Sequence, residues 1–142
     1  MTACRVEVCP EPFDPWQRLA LWSGDAAAAA IFIGRVRPTT MDGRRLEALE
    51  LEHVPGLCER QITAMAQRLQ QEHRAGQILV LHRVGRLSPG EPIVLVAVEA
   101  DRRGAAQRCA GALLEELKNH APFWKREWCA GQGTWLAEST PL

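Results

Sequence analysis

The run Pro92 to Ala100 (Pro-Ile-Val-Leu-Val-Ala-Val-Glu-Ala) constrains this chain most. Ile93 to Val98 is unbroken apolar and reads as a strand. Strand side chains alternate between two faces, so an uninterrupted apolar run must be covered on both. The fold must therefore place layers above and below it. The rest of the chain supplies them. Cys4 to Cys9 alternates as a short strand ended by Pro10 and Pro12. Asp14-Pro15 starts a short helix, an N-cap followed by proline at the first helical position. A strand follows from about Ala29 to Arg37, in which Gly34 marks a bulge or a close backbone approach. Arg35 and Arg37 share one of its faces. Pro38 to Arg45 is a loop turning at Asp42-Gly43. Leu46 to His53 alternates as a half-exposed antiparallel strand, Leu49, Leu51 and His53 facing one way.

After Pro55-Gly56 a long helix runs to about Ala75, with Gly76 as its C-terminal cap. Gln77 to Val84 is another strand, and Gly85 to Glu91 has the composition of a tight turn. Arg102 to Asn119 forms the second long helix, with Ala106, Cys109, Leu113, Leu114 and Leu117 on its inner face. Asp101 is the expected N-cap. Glu127 to Cys129, a turn at Ala130 to Gly133, and Thr134 to Ala137 read as a terminal hairpin. This order predicts an α+β fold, helices packed on a mostly antiparallel sheet, in one domain over residues 1–142.

Leu117 to Glu127 is the stretch with chemistry. It holds Lys118 and Lys125, the only two lysines; every other basic residue is an arginine. Arginine stays charged in essentially any protein environment, whereas a part-buried lysine can lose its proton and act as acid, base or nucleophile. Pro122 stops the helix that carries Lys118 and drives Ala121 toward an extended conformation. Phe123 and Trp124 then anchor the next segment in a core. A rigid corner carrying two amines suits an anion or a carbonyl.

Charge and cysteine usage exclude other classes. Seventeen basic and seventeen acidic residues balance to zero, so the whole molecule advertises neither nucleic acid nor a membrane surface as partner. The first thirteen residues lack a basic segment followed by an apolar run, and Ala26 to Ile33 is too short to span a bilayer. The expected compartment is the cytoplasm. The five cysteines form no C-x-x-C pair and the four histidines no metal-spaced pair, so neither a zinc site nor a disulfide framework is expected. Cys129 lies nearest the lysines, but buried structural thiols are the commoner case.

Four motifs carry a resemblance that spans about Ile31 to Trp135: Phe32-Ile33-Gly34-Arg35-Val36-Arg37; the Leu-Glu-x-Glu-His strand at Leu49 to His53; His82-Arg83-Val84-Gly85-x-Leu87-x-x-Gly90-Glu91; and Leu117-Lys118 followed by Ala121-Pro122-Phe123-Trp124-Lys125-Arg126-Glu127. In these the chain resembles the MoaE family, the large, catalytic subunits of molybdopterin synthase. The resemblance implies an α/β hammerhead-type fold with an added antiparallel β subdomain. It implies sulfur transfer from a small ubiquitin-like subunit, whose C-terminal Gly-Gly ends in a thiocarboxylate, to cyclic pyranopterin monophosphate. The product is the dithiolene of molybdopterin. It also implies a homodimer at the centre of a heterotetramer, and a reaction that needs no metal and no resident cofactor.

The resemblance carries residue roles with it. Lys118 matches the lysine near the partner's terminal carbonyl, as a cation that polarises it or an amine that moves a proton. Lys125 matches the second lysine, for substrate binding and proton transfer. Arg37 and Arg102 are expected to bind phosphate, Arg102 aided by a helix N-terminus. Arg126 and Glu127 either orient these groups or form a structural ion pair. The chain departs from the family at Asp101-Arg102, where a His-Arg pair is usual. Asp101 opposes an anion and can simply cap the helix; His120 is a conceivable substitute for the imidazole. Leu51 stands where a strand tyrosine is common. The other reading is a module that grips a ubiquitin-like tail or a phosphorylated ligand without turnover.

Overall fold

The structure, a computed structural model that describes residues 3–137, threads its elements as β1 (Cys4–Cys9), α1 (Pro15–Trp22), β2 (Ala28–Arg35), β3 (Ala48–His53), α2 (Leu57–His73), β4 (Ile78–Arg83), β5 (Gly85–Leu87), β6 (Pro92–Ala100), α3 (Arg103–His120), β7 (Phe123–Cys129) and β8 (Gln132–Trp135). The strands form two four-stranded sheets, ordered β1-β4-β6-β2 and β5-β3-β7-β8. Among the described residues, only the pairing of β1 with β4 is parallel.

β6 lies inside the first sheet, between β4 and β2. Its alternate residues go to opposite cores. Val96 and Val98 pack with Ile62 and Leu69 of α2 and Leu113 and Leu117 of α3. Leu95 and Ala97 pack on the other side with Leu19 of α1, Leu79 and Leu81. That arrangement covers the apolar run on both faces. Burying each Val or Leu contributes about 1.5–3 kcal/mol, so this strand is a main source of stability. A third core, built on Val36, Leu46, Leu51, Val84 and Leu87, joins the second sheet to Val8 and Ile93 of the first. Phe123 packs against both the first and third cores.

The short helix starts as its sequence requires: the Asp14 carboxylate accepts from the Trp16 and Gln17 N–H groups at 3.0 and 3.3 Å, with Pro15 following. Gly34 is both a bulge and a close approach. The register slips between Gly34 and Arg35, and a Cβ at Gly34 would lie 2.8 Å from Val94 Cγ1. The slip ends β2 at Arg35, so Arg37 lies beyond the strand rather than on it.

Other boundaries also differ from expectation. Gly85 to Leu87 is a strand, not part of a turn, because Leu49 pairs with Leu87 and Leu87 is fully buried. Three residues are too few to show a period. The turn shrinks to Ser88–Glu91, closed by the Ser88 N–H donating to the Glu91 carboxylate at 2.6 Å. β7 begins at Phe123 rather than Glu127, since β3 pairs with it along its whole length from His53↔Phe123 to Ala48↔Trp128. Arg102, not Asp101, occupies the N-cap of α3, with no side-chain cap bond. At the end of α2, Arg74 takes the left-handed cap position (φ 54°) expected of Gly76. Gly76 serves a different need. Its N–H donates to the Glu99 carbonyl at 2.6 Å, and a Cβ there would stand 3.0 Å from that oxygen.

These two sites give opposite stability effects. Arg74→Gly should relieve left-handed strain and stabilise by about 0.5–1 kcal/mol. Gly76→Ala should destabilise by about 1–3 kcal/mol through overpacking against backbone. Urea unfolding of both variants checks this; a neutral Gly76→Ala would show that the close approach carries no energy.

Candidate active site

α3 ends abruptly. Pro122 cannot supply the next helical N–H, and Ala121 before it is extended (φ −70°, ψ 137°). The Phe123 N–H donates to the Ala121 carbonyl at 2.9 Å, and the chain enters β7 at once. The Phe123 ring stacks on His82, centroids 4.0 Å apart and planes 18° apart. Lys118 therefore stands on the last turns of α3 and Lys125 on β7, across a corner whose angle is set by packing.

Both lysines line one cavity of about 720 Å³, together with Arg37, His82, Phe32 and Trp124. That volume suits a small molecule. A second cleft of about 480 Å³ shares Arg37 and Lys125 with the first and adds Arg35, Met41 and Glu127. Cationic side chains fixed around a partly enclosed space bind anions and stabilise charge that develops on oxygen or sulfur.

Lys125 is held from both sides. β3 pairs with it through Leu51, and the Leu136 N–H donates to its carbonyl at 2.8 Å. Burial pulls its ammonium below the ordinary 10.5, and the charge of Lys118 pushes the same way. A lysine so placed releases its proton more readily than one in water, which general acid–base work requires. His82 is buried, and burial pushes its imidazole down to about 4, so the ring is neutral at pH 7.

Arg37 is positioned by a clamp on its neighbour. The Val36 N–H donates to the Glu91 carbonyl at 2.9 Å, and the Val36 carbonyl accepts from Gly90 at 2.8 Å. The buried Arg83 guanidinium holds that turn through Glu91 at 3.1 Å. Glu127 acts on the facing loop: its carboxylate accepts from the Met41 N–H at 3.1 and 3.2 Å, tying the 38–45 loop over the second cleft.

The remaining sequence candidates lie elsewhere. Arg126 points to the opposite face of β7. Its guanidinium bonds Glu50 at 2.6 Å and lies 4.8 and 4.4 Å from the ring centroids of Trp128 and Trp135. The ion pair it makes is thus with Glu50, not with Glu127. Asp101 and Arg102 are at the far end of α3 from Lys118, about 24 Å away at 1.5 Å per residue, and do not line the cavity. His120 is exposed and does not line it either. Cys58 and Cys109 are fully buried thiols pushed up to about 11, hence inert. Among the described residues, no three His, Cys, Asp or Glu side chains converge as a metal site, and no helix is long and apolar enough to cross a membrane.

Sequence reasoning missed His82 and Phe32 as lining residues. A signal for His82 existed: it continues the Ile78, Val80 row of β4 toward the helices, and a polar residue ending an apolar row marks where a core opens.

The chain has relatives among known proteins. The family described as MoaE protein matches residues 8–120. A protein named molybdopterin synthase catalytic subunit from Cereibacter sphaeroides is 43% identical over 136 residues, covering 94% of this chain and 91% of that one. One of the same name from Escherichia coli is 36% identical over 132 residues, covering 89% and 85%. The solved structure of molybdopterin synthase from Staphylococcus aureus matches with a TM-score of 0.85 at 25% identity, over 93% of this chain and 96% of that one.

The depressed Lys125 has a stability consequence. Between its folded value and 10.5 the unfolded chain binds the extra proton, so stability rises with pH through that window. Below the window the buried charge costs stability in full. Lys125→Met should therefore melt higher than the parent at pH 7, and the gap should narrow as pH approaches 10.5. Melting curves across that range check it; a gap that stays constant would mean that the charge is not the cause.

Proposed function

Because the chain belongs to the MoaE protein family, we propose that this cavity performs the family's sulfur transfer, with Lys118, Lys125 and Arg37 as its working groups. The protein acts in molybdenum cofactor biosynthesis as the catalytic subunit of molybdopterin synthase, a sulfurtransferase. Its partner is a small sulfur-carrier subunit ending in a Gly-Gly thiocarboxylate, and its substrate is cyclic pyranopterin monophosphate. One observation carries the assignment of the groups: the only two lysines of the chain, far apart in element and role, meet in one cavity beside Arg37.

Two anions must come together there, a thiocarboxylate and a phosphate ester. Lys118, as a cation, polarises the partner's terminal carbonyl and stabilises charge as the sulfur departs. Lys125, whose ammonium burial makes easier to deprotonate, exchanges a proton with the substrate. Arg37, at the shared wall of both clefts, takes the phosphate. Glu127 keeps the facing loop closed, and Arg126 braces the far side of β7. Arg102, with Asp101 beside it, is too far along α3 to reach the cavity of its own chain. If it binds substrate, it does so in the cavity of a second copy, which a homodimer at the centre of a heterotetramer provides. We propose that residues 3–137 work as one domain and that the protein works in the cytoplasm.

Purified protein mixed with thiocarboxylated partner and pterin precursor should form the dithiolene. Lys118→Ala should lower the chemical step by about 10²–10³ while the protein stays folded. Lys125→Ala should also weaken pterin binding. Lys→Arg rescues a site that acts only as charge and fails where a proton moves. Near-normal turnover in both alanine variants would remove the mechanism.

The shared site has its own test. Lys118→Ala and Arg102→Ala chains, each inactive alone, should recover about a quarter of parental activity when mixed and reassembled, since half the dimers would hold one intact site. No recovery from demonstrated mixed dimers would exclude it.

A further inference from the structure

We propose that His82 is the hydrogen-bond acceptor of the cavity, receiving an N–H or O–H of the bound pterin at Nε2. This rests on the cavity being the site of cyclic pyranopterin monophosphate. The cationic wall cannot supply that function. Arg37 and the ammonium groups of Lys118 and Lys125 offer donors only, which hold a phosphate but cannot tell what carries it. A pterin ring also presents donors of its own, and these need an acceptor. The side chains of Glu115 and Asn119 can accept, but both residues are exposed on α3 at the rim. His82 is the buried one.

Its geometry fixes which nitrogen is available. Nδ1 lies 2.9 Å from the Arg83 carbonyl oxygen, which can only accept, so the ring proton is on Nδ1. The ring is neutral, and Nε2 is then a bare lone pair. Among the described residues, the only buried side-chain nitrogen or oxygen without a partner is Arg83 Nε. Among the described residues Nε2 meets no partner either, yet it is not sealed in; it opens toward the cavity that His82 lines. The ring cannot swing away, because it is stacked on Phe123 and tied to its own strand. A residue needed only for packing would do better as an aliphatic one, like Ile78 and Val80 in the same row. An acceptor held rigidly with its lone pair facing a void is built to be met by a ligand.

Calorimetric titration with the pterin and, separately, with inorganic phosphate tests this. His82→Phe keeps a ring to stack on Phe123 and removes the acceptor; His82→Gln restores one at similar reach. His82→Phe should bind the pterin about tenfold more weakly and inorganic phosphate unchanged, and His82→Gln should regain most of the loss. A packing role alone would not separate the two ligands. If His82→Phe melts far below the parent, the comparison of His82→Met with His82→Gln replaces it, with loss expected only for Met. Parental pterin affinity in the folded Phe or Met variant overturns the role of His82 and leaves the cavity assignment standing. Failure of the parent protein to bind the pterin removes the cavity assignment itself, and this role with it.

Discussion

The corner at Ala121-Pro122-Phe123 is the constraint on which the site depends. Proline ends α3 by chemistry, and Phe123 makes that ending directional by packing into two cores at once. Its stack on His82, an arrangement worth about 0.5–1.5 kcal/mol beyond burial in aromatic pairs, ties the start of β7 to the end of β4. The two lysines are then seven positions apart in sequence but on elements of different kind, one set by helix packing through Leu113 and Leu117, the other by pairing with β3. Neither backbone position could shift without breaking a core.

Around that corner the fold gathers positive charge and tolerates its cost. Burial weakens the Lys125 ammonium, and the charge of Lys118 adds to the effect. The three apolar cores hold this arrangement in place. Three acidic residues near the site brace backbone and framework. Glu91 holds the turn beside Val36, Glu127 holds Met41, and Glu50 holds Arg126 and the Trp128 indole N–H. The walls around the cationic side chains of the cavity are thus braced, which is what preorganised electrostatic stabilisation requires.

Much of this was legible in the residues. The apolar run of β6 announced coverage on both faces, Asp14-Pro15 announced a helix start, and Pro122 announced the end of α3. Rarity and position singled out Lys118 and Lys125. Features that depend on a partner strand were not legible. β5 is three residues long and exists because β3 lies beside it; the first half of β7 is a strand because β3 continues past Glu127. The left-handed cap fell to Arg74 because Gly76 was needed against Glu99, a residue 23 positions later.

By itself, the sequence determined the layered α+β architecture, the alternation of core and surface, and the chemical inventory of the site. Those follow from local period, proline and glycine stereochemistry and side-chain type, all of which act within a few residues. Only the tertiary structure decided which inventory meets. It brought Lys118, Lys125, Arg37 and His82 to one cavity and sent Arg126 to the opposite face of β7. It also left Asp101 and Arg102 at the other end of an 18-residue helix. The reason is physical: a strand's register and a helix's length convert neighbours in sequence into opposite faces or distant ends. Which face becomes a cavity depends on packing between elements that no single stretch encodes.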